Sequence, residues 1–350
     1  MSALAQRGWR AALLATLLGC GPGAASSASS EGSAGGEDPD AEVRFMDEEP
    51  APPERHAASP AVAEAEALLA SGNVADAERM LREAVAATPD DPRAQLDLGL
   101  ALELQNQWEE AEAAYRAAIA LDPEFPEALN NLGVLLRDEE RPEEAAAMLR
   151  RAVASDPRYG EAWLNLALAL EESGDDAAAR DAYREAVRFL PEDAAARANF
   201  GLLLVRLGER DPAAIELTRA LRLARLSGDA ATAAAVGNGL RRIGEGASAT
   251  RALTLAIELN GATPALLAER ALAENAAGEK AAAEASLAAA LELDGGFAMA
   301  HYLLGGLKAG RGAYAEAVVH YESYLRLAPR GTQAERARER LRAARSRANR

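Results

Sequence analysis

Apolar and polar positions alternate along most of this chain with the spacing of amphipathic helices. The pattern also repeats, because small residues recur every 34 positions with one slip of two: Ala77, Ala111, Ala145, Ala179, Ala213, Ala249, Ala283 and Ala317. A Leu or Tyr follows each of them four positions later, from Leu81 to Tyr321. Since positions i and i+4 lie on one face of a helix, each copy predicts an amphipathic helix. The fixed period predicts a stack of similar helical units.

Glycine and proline divide each copy into two helices. Glycines that predict a tight turn between the helices recur at Gly72, Gly174, Gly208, Gly244, Gly278 and Gly312. Prolines that end the second helix recur at Pro89, Pro123, Pro157, Pro191 and Pro329. A further column inside the first helix, where a small residue allows close helix packing, comprises Gly99, Gly133, Gly201, Gly237 and Gly305. Each copy is therefore predicted to be a helix–turn–helix pair.

These columns, with Trp163 in the fourth copy, resemble the tetratricopeptide repeat (TPR). The resemblance covers residues 58–331 and implies an all-α, right-handed α-solenoid of about eight helix pairs. The predicted pairs start near residues 58, 92, 126, 160, 194, 230, 264 and 298. Residues 332–350 are helical in pattern and rich in Arg, so they predict a basic capping helix with a solvated face. Contact of that face with anionic lipid or peptidoglycan-associated acid remains an alternative.

One irregularity interrupts the repeats. The register slips by two residues at 225–229, which predicts a longer loop there. The next helix contains Gly237 and Gly239, and glycine inside a helix costs about 1 kcal/mol relative to alanine. The sequence thus predicts a weak or bent point at this junction.

The N-terminus has the features of an export signal. Arg7 and Arg10 precede a short apolar run at residues 11–18, which is too short to span a bilayer. The following Gly19-Cys20 completes a resemblance to the bacterial lipobox. That resemblance implies a signal peptide at residues 1–19, cleavage before Cys20, lipidation of Cys20 and membrane attachment through the lipid. Gly21, where Asp would mark inner-membrane retention, implies the outer membrane on its periplasmic side.

Residues 20–57 are rich in Gly, Ala, Ser, Glu and Pro. They contain too little apolar surface to offset the entropy of ordering, so they predict a disordered tether. The alternative interpretation of the N-terminus is an ordinary export signal with an incidental cysteine, which would give a soluble, exported, chaperone-like binder without lipid.

Composition excludes several classes of function. The formal net charge of −17 disfavours nucleic acid as a partner. The single cysteine can form neither an intrachain disulfide nor a zinc site by itself. His56, His301 and His320 are not spaced as metal ligands, so we predict that they are ordinary residues without a metal. No nucleotide-binding, hydrolase or cofactor motif is present, so we predict no cofactor, metal or small-molecule substrate. An enzyme or enzyme subunit is the least favoured alternative.

Binding of a protein or peptide is the favoured function. Asn131, Asn165 and Asn199 occupy the same position in successive copies, with Asp97 in the copy before. An Asn side chain offers both a donor and an acceptor to a peptide backbone. The ladder resembles that in the superhelix of the O-linked N-acetylglucosamine transferases, where it grips extended peptide. The apolar residues around it are Leu96, Leu100, Val134, Leu164, Leu168 and Leu202. The alternative is that these asparagines only face solvent.

The sequence therefore predicts a non-enzymatic scaffold of the cell envelope that holds an extended peptide or partner protein in its concave TPR groove. The chain resembles bacterial TPR lipoproteins that assist pilus secretin assembly, gliding motility or peptidoglycan enzymes. Its residues do not choose among these processes.

Overall fold

A computed structural model describes residues 56–349. Seventeen α-helices and no strand lie within this part of the chain. The predicted signal peptide, Cys20 and nearly all of the predicted tether lie outside the described residues. The described helices divide into two compact units, with the boundary between residues 157 and 158.

The first unit contains three helix pairs. Their helices are α1 (Pro60–Ala70) and α2 (Val74–Ala87), α3 (Pro92–Leu104) and α4 (Trp108–Leu121), and α5 (Pro126–Asp138) and α6 (Pro142–Ser155). Helices α2 and α4 each pack against their own partner and against the first helix of the next pair, α6 packs against α5, and α1 also contacts α3. The contacts are thus between neighbours in the sequence, as a stacked repeat requires.

The second unit contains five helix pairs and a final helix. The pairs are α7 (Gly160–Glu172) and α8 (Asp176–Phe189), α9 (Ala194–Leu207) and α10 (Arg210–Ser227), α11 (Ala230–Arg242) and α12 (Gly246–Asn260), α13 (Pro264–Ala276) and α14 (Lys280–Leu293), and α15 (Ala298–Gly310) and α16 (Tyr314–Leu327). The final helix, α17 (Ala334–Ala348), packs on α16. Its Ala337, Leu341 and Ala344 are buried while its arginines face outward. The predicted all-α solenoid architecture is confirmed within each unit.

Aspartates fix the start of several first helices. The carboxylate of Asp91 accepts from the backbone N–H of Arg93 at 2.9 Å, and that of Asp193 accepts from Ala196 at 2.8 Å. Asp229 caps α11 in the same way. Such caps satisfy backbone donors that have no partner inside the helix, and each contributes about 1 kcal/mol.

The turns within the pairs require a left-handed backbone. All six glycines of the predicted turn column have positive φ, from 80° at Gly72 to 92° at Gly244. In the second and third pairs this position belongs instead to Asn106 and Glu140, each with φ of 62°. A left-handed conformation costs a non-glycine residue roughly 1–2 kcal/mol, and asparagine tolerates it best. Glu140 is therefore a strained exception in the column.

The glycines inside the first helices mark close approach between the helices of a pair. A Cβ on Gly99 would lie 2.6 Å from the Tyr115 ring, and one on Gly133 would lie 2.5 Å from Cγ of Leu149. Tyr115 and Leu149 are fully buried. The Leu or Tyr column therefore fills the space that these glycines leave.

The structure differs from the sequence prediction at the irregular junction. Helix α10 continues to Ser227 and ends at Gly228 with φ of 71°. It has 18 residues where α8 has 14, so the predicted longer loop is wrong. Helix α11 runs without interruption through Gly237 and Gly239. A Cβ on Gly239 would lie 2.8 Å from Leu202. These glycines serve close packing, and the helix is continuous through both of them.

None of the described helices is both long enough and apolar enough to cross a membrane.

Candidate binding groove

The predicted binding residues of the first unit differ in their exposure. Asn131 and Val134 on α5 are half-buried, and the Asn131 side-chain oxygen accepts from the Asn130 amide at 3.3 Å. On α3, by contrast, Leu96, Asp97 and Leu100 are 5%, 4% and 8% exposed. These three residues offer almost no surface to a peptide, which the sequence prediction did not anticipate. They pack into the unit instead.

Asp97 is held by an ion-pair network. Nε of Arg93 donates to the Asp97 carboxylate at 3.3 Å and to Glu66 on α1 at 3.0 Å, so two acids share one guanidinium. Burial raises the pKa of Asp97 to about 7, the Arg93 charge opposes this, and the neighbouring Glu66 adds to it. Asp97 therefore cannot offer its side chain to a ligand as the asparagines at the same repeat position could.

In the second unit, three of the predicted residues line one groove. The cavity of about 350 Å³ is bordered by α7, α8 and α9, and we call it the α7–α9 groove; its lining residues are Leu168, Glu171, Glu172, Tyr183, Asn199, Leu202 and Arg206. Leu168, Asn199 and Leu202 were predicted, whereas the charged residues and Tyr183 were not. Leu164 and Asn165, also on α7, are half-buried and do not line this cavity.

A fixed polar network forms the end of the α7–α9 groove. The hydroxyl of Tyr183 donates to Glu171 at 2.8 Å, and Arg206 donates to Glu171 at 2.7 Å and to Asp176 at 2.5 Å. Burial opposes the charge of Arg206, but the hydrogen bonds and charges of Asp176 and Glu171 raise its pKa above the ordinary value. The guanidinium is thus committed to carboxylates of the protein.

The side-chain amide of Asn199 is the polar group of this groove that is available to a ligand. It makes no hydrogen bond to any residue of the described part of the chain. A half-buried amide without a partner can donate hydrogen bonds to a ligand through its NH₂ group and accept them from the ligand through its oxygen. With Leu168 and Leu202 beside it, the groove combines a backbone-binding group with apolar surface.

A second groove occupies the equivalent place between α13 and α15. Its volume is about 300 Å³, and it has Leu272, Leu303, Gly306 and Gly310 where the first groove has Leu168, Asn199, Leu202 and Arg206. Lys280 and Arg340 also line it. Sequence reasoning missed this groove because it followed the asparagines, although each pair of equivalent residues is 104 positions apart.

The histidines also differ from the sequence prediction. His56 belongs to the folded part, where its Nε2 lies 2.8 Å from the Asp122 carboxylate and its ring packs on Phe125. His301 and His320, which we predicted to be ordinary helix residues, lie against each other with their Nδ1 atoms 3.1 Å apart. Among residues 56–349 there is no group of three or more His, Cys, Asp or Glu side chains arranged to hold a metal ion.

Comparison with known families gives one sequence match. Residues 62–126, 105–154 and 130–194 match the model of the tetratricopeptide repeat, so the matched region is 62–194. This region extends from within α1 to the end of α8 and includes the Asn131 and Asn165 positions. No curated protein matches the chain.

Several solved structures align with parts of the chain. The chain is 18% identical to a chain of the APC/C hetero-tetramer Cut9–Hcn1, with a TM-score of 0.47 over 81% of this chain and 55% of that one. It is 23% identical to pilF of Pseudomonas aeruginosa, with a TM-score of 0.49 over 60% and 94% of the two chains. It is 22% identical to YrrB, described as a TPR protein with an unusual peptide-binding site, with a TM-score of 0.46 over 57% and 97%.

Proposed function

We propose that this chain is a non-enzymatic scaffold of the bacterial cell envelope, which binds an extended segment of a partner protein along its first helices. Tetratricopeptide repeats are, as a family, modules for protein–protein interaction, and residues 62–194 match their model. The proposal places the protein at the outer membrane, facing the periplasm and attached through a lipid on Cys20. It serves assembly of a pilus, secretion, motility or peptidoglycan complex.

The observation that carries the proposal is the unpaired Asn199 amide in the α7–α9 groove. Its donor and acceptor fit the C=O and N–H of an extended peptide, which recur whatever the side chains are. Asn131 and Asn165 occupy the same position in the two preceding repeats. Each asparagine would bind backbone within its own unit, and the apolar residues beside it would select side chains.

The charges of the groove restrict its occupant. The Arg206 guanidinium is already paired with Glu171 and Asp176, and Glu172 adds a further carboxylate to the lining. A segment rich in acids would meet these carboxylates without a free cation to balance them. We therefore expect a partly apolar segment that is neutral or basic near Leu168 and Leu202.

A crosslinking pull-down from envelope membranes tests the groove. Wild type is compared with the triple variant Asn131→Ala/Asn165→Ala/Asn199→Ala and with Asn260→Ala, an exposed asparagine at the end of α12. The proposal expects a partner that the wild type and Asn260→Ala both capture and that the folded triple variant loses. If the triple variant captures the same partner equally well, the asparagines do not bind it.

The lipid anchor has a separate test. Cells that express the wild type or Cys20→Ser are labelled with palmitate and their membranes are fractionated. The proposal expects label and outer-membrane recovery for the wild type only, because the acyl chains give stable attachment. Label that survives the substitution would refute lipidation of Cys20, and an unlabelled, exported wild type would support the soluble binder.

A further inference from the structure

The last helix pair brings two imidazole rings into contact. His301 lies in the first turn of α15 and His320 in the middle of α16, 19 residues apart in the sequence. Their Nδ1 atoms are 3.1 Å apart, and the ring planes meet at 37° with centroids 5.4 Å apart. Both side chains are half-buried, so the rings are partly packed and yet reachable from solvent.

The same two positions are in contact in another repeat. Arg197 is the fourth residue of α9, as His301 is of α15, and it lies 2.9 Å from Glu216 of α10. That pair is also 19 residues apart and is 15% and 12% exposed. The helix pair thus places these two side chains together whatever their chemistry is. The fifth pair uses the contact for an ion pair, and the eighth pair places two imidazoles there.

We propose that His301 and His320 form a two-imidazole binding site for a divalent transition-metal cation such as Zn²⁺ or Cu²⁺. Metal–nitrogen bonds of about 2.0–2.1 Å at angles between square-planar and tetrahedral place two ligand nitrogens roughly 2.9–3.4 Å apart. The observed 3.1 Å falls inside this range. One cation can therefore bond to both Nδ1 atoms once the rings, which now face each other head-on, turn so that their lone pairs converge on it.

The chemistry of the ligands selects the class of metal. Imidazole nitrogen suits Zn²⁺, Cu²⁺ and Ni²⁺, whereas Mg²⁺ and Ca²⁺ require oxygen ligands. Within the described residues no third side chain completes a closed site. The remaining positions of the coordination sphere are thus left to water or to a donor from a bound partner, as in an open metal site.

The surroundings favour neutral rings, which metal binding requires. Burial lowers the pKa of His301, and Arg326 lowers it further, while a hydrogen bond with the Gly295 backbone carbonyl raises it. Burial also lowers the pKa of His320, with contributions from His301 and Lys308 that Glu316 and Glu284 oppose. Without a metal, one neutral ring donates its Nδ1–H to the other. With a metal, the donor ring carries that proton on Nε2, and both Nδ1 lone pairs face the cation.

The one ammonium near the site is neutralised. Nζ of Lys308 lies 3.0 Å from Glu284 and 2.9 Å from Glu316, so its charge is balanced by two carboxylates. Arg326 is further along α16 and donates to Ser323. The two ion pairs of Lys308 therefore reduce the repulsion between its ammonium and a bound cation, while Arg326 keeps its positive charge.

The test is calorimetric titration of the full-length protein with ZnCl₂, CuCl₂ and MgCl₂ in a buffer without chelator. The variant His301→Arg/His320→Glu installs the pair that the fifth repeat already accommodates, so it preserves the contact and removes the imidazoles. His56→Ala is the control for the other described histidine. The proposal expects saturable one-site binding of Zn²⁺ or Cu²⁺ by the wild type and by His56→Ala, no Mg²⁺ binding, and at least about tenfold weaker binding by the double variant.

Two further measurements keep the outcome decisive. If circular dichroism shows that the double variant is unfolded, the smaller substitution His320→Asn replaces it, with the same expectation. Resonances of the imidazole nitrogens report the ligand atoms, and addition of Zn²⁺ should shift Nδ1 of both residues. The proposal is overturned if neither Zn²⁺ nor Cu²⁺ gives a saturable isotherm with the wild type. It is also overturned if the folded variant binds as tightly as the wild type.

Discussion

Gly305 and Gly306 are adjacent in α15, yet a methyl group would meet different surroundings at each. A Cβ on Gly305 would lie 2.8 Å from Cδ1 and Cε1 of Tyr321, which is 1% exposed. A Cβ on Gly306 would have its nearest neighbours at 3.5 Å, the Arg340 guanidinium, and at 3.9 Å, the Tyr321 hydroxyl. The same substitution to alanine should therefore have opposite effects at the two positions.

The magnitude follows from packing and helix propensity. Carbon atoms pack at about 3.5–4.0 Å, so Tyr321 would have to move by roughly 0.7 Å or more to admit a methyl group on Gly305. Such overpacking costs about 1–3 kcal/mol, whereas alanine is favoured over glycine by about 0.8–1.0 kcal/mol in a helix. Gly305→Ala should be neutral or destabilising by up to about 2 kcal/mol, and Gly306→Ala should stabilise by up to about 1 kcal/mol. Both variants gain the same helix propensity. The difference between their unfolding free energies therefore measures the overpacking.

Native-state hydrogen exchange of the full chain is the suitable assay, because repeat arrays need not unfold in one step. Amides of α15 and α16 should exchange faster in Gly305→Ala than in Gly306→Ala. In a Tyr321→Ala background the steric conflict is absent, and Gly305→Ala should become stabilising like its neighbour. Equal protection in the two single variants would refute the argument that Tyr321 requires glycine at this position.

Other predictions concern the turns and the buried polar groups. Glu140→Gly should stabilise the first unit by about 0.5–1 kcal/mol by relieving its positive φ, whereas Glu143→Gly in α6 should destabilise it, as judged by urea unfolding. Asp97 has a folded-state pKa of about 7 against an ordinary 3.8, so the folded state binds its proton more tightly. Its contribution to stability is complete below about pH 4 and is lost as the pH rises through 7, and Asp97→Asn should remove this slope; an unchanged slope would contradict it. Tyr183→Phe should cost about 1–2 kcal/mol by removing the hydroxyl that donates to Glu171, and wild-type stability would contradict this.

Sequence reasoning predicted the features that follow from local rules. The alanine and glycine columns identified the helix pairs, because close approach and left-handed turns permit few residue types. The same rules failed where a different residue met the same requirement, as Glu140 does in the third turn. The extension of α10 was missed because the residues around the register slip could continue a helix as readily as form a loop.

The site was predictable only in part, since exposure depends on neighbours that the sequence does not specify. Asn199 faces a groove, whereas Asp97 at the same repeat position is covered and paired with Arg93. The contact between His301 and His320 had a signal in the repeat register, because Arg197 and Glu216 are the complementary charges at equivalent positions. Sequence motifs for metal sites look for ligands a few residues apart on one helix. They therefore miss two histidines that are 19 residues apart and lie on different helices.

Photo-crosslinking from defined positions tests the proposed binding surface most directly. A photoreactive amino acid is placed at Leu202, in the α7–α9 groove, or at Ile215, which is 53% exposed on α10 outside the groove lining. Irradiation in intact cells, followed by identification of the crosslinked segment, compares the two positions. We predict that one partly apolar segment of a partner protein crosslinks at Leu202 and not at Ile215. Crosslinking of the partner at Ile215 with none at Leu202 would contradict binding in the groove.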